Sequence, residues 1–394
     1  DMWLHANTVH ILLFILPLVG TTTGAREYLL TGTAPESSIW YRNASRPEHR
    51  PSSLPALHPF TWRYLEMVEM AVTGSLMDEV GSCSPDKPPA PNYFAIAKQQ
   101  DRPIGQCHVM NSQSYDKRTR LVGRDWPAVG HTMVGHVRLH NIRYALEQAL
   151  AEGVPGGYSE LGVWRGGSAI YAKAVIDALE HSLGTTGREI HVFDAFETLE
   201  GYGPASAYLS NTAASVRHNF VKYGLLDDRV RFHVGLFSKT LPGFYQHRKG
   251  NLQIAVLRID GNFYESYHDA LYHMYEFVPV GGFVIFDDGL ESKRGHKLRL
   301  PWRFTEDQLA PKGTVLRAWH NFQRDQGFRE KFTRLDQDSG FFRKTTNVTV
   351  DWSKFESGLK DGAGDHKQVK SPKSWYWWNT LPENEKARVM KRQG

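Results

Sequence analysis

From about residue 120 onward the chain alternates between two hydrophobic rhythms. The stretches "GGYSELGV" (156–163), "EIHVFDAF" (189–196), "RVRFHVG" (229–235), "QIAVLRID" (253–260) and "GGFVIFDD" (281–288) are short, apolar runs bounded by turn residues. They predict buried strands. Between and after them, "LHNIRYALEQALAEGV", "AIYAKAVIDALEHSL", "TAASVRHNFVKYGL", "SYHDALYHMYEFV" and "TVLRAWHNFQRDQG" repeat apolar residues every three to four positions, which predicts helices. "FTRLDQDSGFFRKT" (332–345) reads as a closing hairpin. Strands alternating with helices imply an α/β fold, with a mostly parallel, doubly wound sheet and a C-terminal antiparallel hairpin. Ligands of such sheets sit beyond the carboxyl ends of the strands, so the strand-end residues carry the functional reading.

The flanks follow neither rhythm. Residues 1–24 include an apolar run, His10 to Gly20, of signal-peptide length, read as a secretory signal or signal-anchor; it is short for a full membrane span, which takes roughly 20 apolar residues. Residues 25–115 are a proline-rich extension holding one helix, "FTWRYLEMVEMAVTGSLMDEV", in which Tyr64, Met67, Met70 and Ala71 share a face. Residues 116–348 are the α/β domain. Residues 349–394 form a basic tail with the aromatic run "SWYWWNTLP" (374–382), suited to packing on the domain or to stacking on sugars. Cys83 and Cys107 fit one disulfide or two free thiols, and Asn43 and Asn347 head sequons that matter only in the secretory pathway.

Composition narrows this picture only slightly. The 394 residues are 41% hydrophobic with a formal charge of +5, and no Lys/Arg block is dense enough to argue for nucleic acid. A lumenal or secreted protein follows if the start is a signal, a cytoplasmic one if it is not. Membrane contact would come only through a signal-anchor, and a homo-oligomer stays open.

Beyond the first predicted strand, Glu160, Gly162, Gly166 and Gly167 make a glycine-rich turn into a helix. The spacing is neither G-x-G-x-x-G nor a P-loop, and an acid beside it suits a cationic ligand such as S-adenosylmethionine better than a pyrophosphate. Asp194, ending the second strand, suits ribose hydroxyls. Gly235 to Phe237 after the third could flank an adenine. Asp260 and Asn262 end the fourth strand, and Asp287 and Asp288 the fifth. If those ends are neighbours, three carboxylates and an amide converge. Such a set is costly without a cation, and all-oxygen ligands favour magnesium, calcium or manganese.

On "DWPAVGHTMVG", "ELGVWRGGSAIYAKAV", "VFDAFETLEG", "VRHNFVKYGLLDDRVRFHVGLFSKTLP", "LRIDGNFYESYHDALYHMY" and "PVGGFVIFDDG", in that order from Asp125 onward, the chain resembles the macrocin O-methyltransferase family. The resemblance implies a Rossmann-like class I methyltransferase that moves a methyl group from S-adenosylmethionine to a sugar hydroxyl with Mg2+. It places Glu160, Gly162, Val163, Trp164 and Arg165 on the methionine side of the cofactor and Met133 in the segment closing over it. Asp194 would hold the ribose, and Asp260, Asp287 and Asp288 the metal. Asn262 stands where the family usually has an aspartate. Related catechol-type enzymes carry a lysine three residues after the first metal aspartate; here that position is Phe263, which leaves His131 as the candidate base beside catalytic Asp260. A phenolic or polyketide acceptor, and a non-catalytic binding protein, are the competing readings.

Overall fold

The structure, a computed structural model, describes residues 50–78, 81–83, 117–123, 126–127, 129–199, 209–288, 315–336 and 339–362. The signal-like start, Asn43, Cys107 and the aromatic run of the tail lie outside the described residues.

Seven strands form the main sheet: β3 (Gly157–Leu161), β4 (Ile190–Asp194), β5 (Val230–Val234), β6 (Ile254–Ile259), β7 (Phe283–Phe286), β8 (Thr333–Arg334) and β9 (Gly340–Arg343). Two short strands, β1 (Gly81–Cys83) and β2 (Trp126–Pro127), pair separately. The spatial order is β5-β4-β3-β6-β7-β9-β8; the first five run parallel, and the expected hairpin β8–β9 adds antiparallel to β7. The chain winds outward from β3 through β4 to β5, then returns to β6 on the other side of β3. The order therefore reverses between β3 and β6, where a ligand crevice is expected.

Nine helices are described: α1 (Pro59–Val72), α2 (Lys117–Leu121), α3 (Gly135–Ala151), α4 (Gly167–Leu183), α5 (Ala213–Lys222), α6 (Phe237–Arg248), α7 (Tyr264–Met274), α8 (Val315–Gln326) and α9 (Phe355–Gly362). Alternate strand residues feed two cores, because successive side chains point to opposite faces. Tyr158, Val192, Val256, Phe283 and Ile285 pack with α1, α3, α4 and α5. Leu161, Phe193, Leu257, Ile259, Val284 and Phe286 pack with α6, α7 and α8. This parity decides where the polar strand-end residues go. Glu160 follows Tyr158 by two, Arg258 and Asp260 follow Val256 by two and four, and Asp287 follows Ile285 by two. All four fall on the α3–α4 face.

Three local expectations need correction. Helix α6 is absent from the predicted helices, and Pro242 sits inside it, where it removes one backbone donor. Helix α3 begins four residues before the run that predicted it. Helix α1 turns the other way: Leu65, Val68 and Val72 are buried, whereas Met67 is 58% exposed and Tyr64 and Met70 also face out. The α1 sequence carries two apolar stripes, and the one that packs also positions Glu69. That carboxylate is buried between His136 Nδ1 (2.5 Å) and His140 Nε2 (2.9 Å), with the Tyr171 hydroxyl donating at 3.2 Å. The extension helix thus shares the core of the α/β domain. Among the described residues no helix is long and apolar enough to cross a membrane.

Candidate active site

Three strand ends are locked together at the switch point. The Asp260 N–H donates to the Leu161 carbonyl (2.7 Å), and the Asp287 N–H donates to the Ile259 carbonyl (3.0 Å), so the ladder continues past the strands. Gly162 has φ +89°, and a Cβ there would lie 1.9 Å from the Asp260 carbonyl oxygen. Glycine is what lets the turn after β3 pass this close to β6. Trp164, Phe196 and Asn262, in the turns after β3, β4 and β6, take positive φ without being glycine (+48°, +51° and +60°). Such conformations cost free energy and concentrate at functional sites.

The acids do converge, with an arginine among them. Arg258, 1% exposed, sits directly across from Glu160 in the β3–β6 register. Its Nη1 donates to Glu160 Oε1 (2.7 Å), and its Nη2 lies 2.9 Å from Asp260 Oδ2 and 2.8 Å from Asp287 Oδ1. The last contact is an ion pair without hydrogen-bond alignment. Arg138 of α3 donates from Nη1 to Asp287 Oδ2 (2.7 Å) and from Nε to Asp336 Oδ2 (2.8 Å). Burial alone would push Asp287 up, but Arg138 and Arg258 outweigh it and hold its carboxyl below the usual range. The expected convergence is therefore right in place and incomplete in charge: arginines, as well as any cation, answer the acids.

Asp260 and Asp288 are the remainder. Their carboxyl groups lie within hydrogen-bonding reach of each other. Burial and Asp287 push Asp260 up, and burial with Asp260 and Asp287 pushes Asp288 well up. Asp288 Oδ2 accepts the Asn262 N–H (3.0 Å), and the Asn262 side chain is exposed beside it. Among the described residues no three His, Cys, Asp or Glu side chains form a ready-made metal cage.

The cofactor residues surround this point. Asp194 Oδ2 accepts the N–H groups of Val163 (2.7 Å) and Trp164 (3.2 Å), and Oδ1 accepts that of Phe196 (3.0 Å). The ribose candidate is thus also the brace of the glycine turn. The Gly235 N–H donates to the Asp194 carbonyl (2.9 Å), and the Phe237 ring lies 3.3 Å from where a Gly261 Cβ would be. The Arg165 guanidinium stacks 4.2 Å over the Trp164 ring, and Nη1 donates to the Gly130 carbonyl (2.9 Å). Met133 is half-buried just before α3. Glu160, by contrast, is sealed off: Ser168 Oγ (2.5 Å) and Arg258 share its Oε1, and the Tyr158 hydroxyl donates to Oε2 (2.7 Å). Burial, only partly offset by Arg258, pushes this carboxyl up to about 7. It supports the turn from beneath rather than lining it.

His131 does not join the acids. Its backbone is fixed by Val72 of α1 and Gly167 of α4, its Nδ1 lies 2.8 Å from the Tyr223 hydroxyl, and none of its hydrogen bonds or ion pairs reaches the carboxylates. Burial, with Lys222 and Arg165 nearby, lowers it to about 4. Sequence reasoning also passed over Arg138, Tyr158, Ser168 and Tyr267, whose hydroxyl donates to the Ile259 carbonyl (2.6 Å). The one available signal was Arg258, a charge inside an apolar strand. A separate cavity of about 680 Å3 lies along edge strand β5, between α5 and α6, away from this chemistry.

The macrocin-O-methyltransferase (TylF) family model matches residues 61–307. The chain belongs to this family. It is an S-adenosylmethionine-dependent O-methyltransferase, and the match takes in α1 as well as the sheet through β7. A tetracenomycin 4'-O-methyltransferase of Streptomyces olivaceus, acting on the 8-demethyl-8-(2,3-dimethoxy-alpha-L-rhamnosyl) compound, is 45% identical over 202 residues, spanning 48% of this chain and 73% of the relative. Mycinamicin III 3''-O-methyltransferase of Micromonospora griseorubida is 37% identical over 192 residues, 46% of this chain and 73% of the relative. The solved structure of the O-methyltransferase NovP covers 73% of this O-methyltransferase and 100% of its own length, with a TM-score of 0.54 and 26% identity.

Proposed function

We propose that this O-methyltransferase methylates a hydroxyl of a sugar, with a divalent cation such as Mg2+ held by Asp260, Asp288 and the Asn262 carbonyl. The observation that carries the cation is the Asp260–Asp288 pair: the two carboxyl groups lie within hydrogen-bonding reach of each other, burial and Asp287 raise both, and a single arginine nitrogen, Arg258 Nη2, is bonded to Asp260. Magnesium is commonly held by one or two carboxylates with positions left for water or substrate, which fits two acids and an amide. Asp287 is held by two arginines, Arg138 and Arg258, and Asp260 by Arg258 alone. The sugar acceptor rests on the relatives, one of which is named for 4'-O-methyl transfer onto a rhamnosyl-bearing tetracenomycin.

S-adenosylmethionine supplies an electrophilic sulfonium methyl, and a bound divalent cation supplies Lewis acidity and a fixed point for a hydroxyl. The protein's own task is alignment, since in-line displacement gains most from holding the two reactants in place. The turn Gly162 to Arg165, braced by Asp194, would receive the methionine end. Asp194 has accepting capacity left for ribose, and Gly235 and Phe237 would border the adenine. Asp260, whose backbone packs against Gly162 of that turn, would orient the acceptor hydroxyl. His131 would stay neutral at physiological pH and hold the segment carrying Met133 against Tyr223.

Calorimetry with S-adenosylmethionine and labelled-methyl transfer onto sugar and phenol panels test this reading. Transfer to sugars is expected, and Asp260→Ala should lower it by roughly 10²–10³-fold while cofactor binding persists. Transfer confined to phenols would overturn the acceptor, and undiminished turnover in the variant would overturn the role of Asp260.

A secretory location is proposed on the signal-like start together with the Asn347 sequon. Residues 347–350 alternate outward and inward: Asn347 and Thr349 are exposed, and Val348 and Val350 are buried, so both sequon side chains face out. Expression in eukaryotic cells should give a glycosidase-sensitive shift that Asn347→Gln removes in part or in full. An unmodified Asn347 in a chain recovered from the lumen would count against it.

A further inference from the structure

Arg258 stands between the two halves of the site. The strand pairing sets it beside Glu160, directly under the glycine turn, and its own strand carries Asp260 two residues on. Its two terminal nitrogens divide between them. Nη1 serves Glu160, whose other donors are Tyr158 from the same strand and Ser168 from the first turn of α4. Nη2 serves Asp260 and Asp287, the acids of the opening. Among the described residues Nε has no hydrogen-bond partner, and the group is held by its forked end. An arginine fork is planar and rigid, and a shift at one nitrogen must move the other.

We propose that Arg258 is a positioning residue that couples S-adenosylmethionine binding at the glycine turn to cation binding at Asp260 and Asp288. The coupling rests on the cation reading above. In the cation-free protein Asp260 is tied to Arg258. A cation that takes over Asp260 releases part of the fork's charge to Glu160, which firms the Glu160–Ser168 contact at the start of α4. That contact fixes the turn that receives the cofactor. Glu160 and Ser168 form no part of the cation set, and Arg258 is the side chain that touches both Glu160 and Asp260. Linkage makes the effect reciprocal: whatever factor the cation adds to cofactor affinity, the cofactor adds to cation affinity.

The test is calorimetric titration of the full chain with S-adenosylmethionine, with and without Mg2+, and with Mg2+ alone, for wild type, Arg258→Lys, Arg258→Met and Ser168→Ala. In the wild type, Mg2+ should tighten the cofactor by about tenfold, and the reverse titration should return the same factor. Arg258→Lys keeps the charge and loses the fork, so its factor should fall to about two- to threefold. Arg258→Met should bring it to one. A purely structural role would lower the melting temperature of these variants and leave the factor intact, and an intact factor in Arg258→Met overturns the proposal. Should Arg258→Met fail to fold, Ser168→Ala decides, since it cuts the path above Arg258; an unreduced factor there overturns the coupling as well. Mg2+ binding to wild type without any factor removes the coupling alone, whereas no Mg2+ binding removes the cation reading and the coupling together.

Discussion

Glu69 and Asp288 are both carboxylates drawn into the protein, and they end in opposite electrostatic states. Glu69 on α1 is answered: burial would raise its carboxyl, but His140 and His136 outweigh burial and hold it well below the usual range. Asp288 at the end of β7 is left short. Burial, Asp260 and Asp287 all raise it, and the nearby arginines pair with Asp287, Glu160 and Asp260. One cluster closes its own charge and glues the extension helix to α3 and α4. The other keeps a surplus of negative charge at the opening of the strand ends. Structural networks balance themselves, and a surplus kept at a strand end is a sign of something the protein binds.

The sharpest way to break this contrast is to delete the balanced acid. Glu69→Ala removes the acceptor from the buried His140 imidazole, the half-buried His136 imidazole and the Tyr171 hydroxyl, and loss of one partner from a buried charge network costs about 3–5 kcal/mol. Urea unfolding at pH 7 should show a loss of that order. The pH dependence has a definite sign. A carboxyl lowered in the folded state contributes stability that is fully present above its unfolded value, about 4.3. That contribution is lost as the pH falls from there through the lowered folded value. The gap between wild type and variant should therefore be widest at neutral pH and shrink below about pH 4. A gap that stays constant on acidification would show that Glu69 is not held as an ionised acceptor.

The same contrast explains what could be read from the sequence. Strand ends were legible because hydrophobic runs stop abruptly at Asp194, Asp260 and Asp287, and a parallel sheet makes neighbours of those ends. The partners of the acids were not. Arg258 showed as a lone charge in an apolar strand, but its three carboxylates come from three strands, and Arg138 comes from a helix more than a hundred residues upstream. Glu69 was hidden by a helix with two apolar stripes, where periodicity alone cannot say which one packs. Pro242 hid α6 for the opposite reason, since a local breaker was overruled by packing of Leu241 and Tyr245 into the second core. His131 shows the remaining limit: a sequence places a residue in a segment, and only the docking of that segment on Val72 and Gly167 turned the ring toward Tyr223.

The smaller prediction tests the surplus itself. Asp288 is raised in the folded state, so its favourable contribution is fully present below its unfolded value, about 3.9, and is lost as the pH rises through the raised folded value. Above that raised value the ionised group is therefore a net cost to the cation-free protein. Asp288→Asn removes the charge and keeps an oxygen that can accept the Asn262 N–H. The variant should be more stable than wild type by about 1 kcal/mol without Mg2+, in line with the usual gain from relieving a strained functional site. Adding Mg2+ should reverse the ranking, because wild type gains a ligand that binds only the folded state and the variant has lost one of its two carboxylates. Thermal melts of both proteins at pH 7.5, with and without Mg2+, give the four numbers needed. A variant that melts below wild type in the absence of Mg2+ would mean that Asp288 is balanced as fully as Glu69, and the contrast between the two clusters would fail.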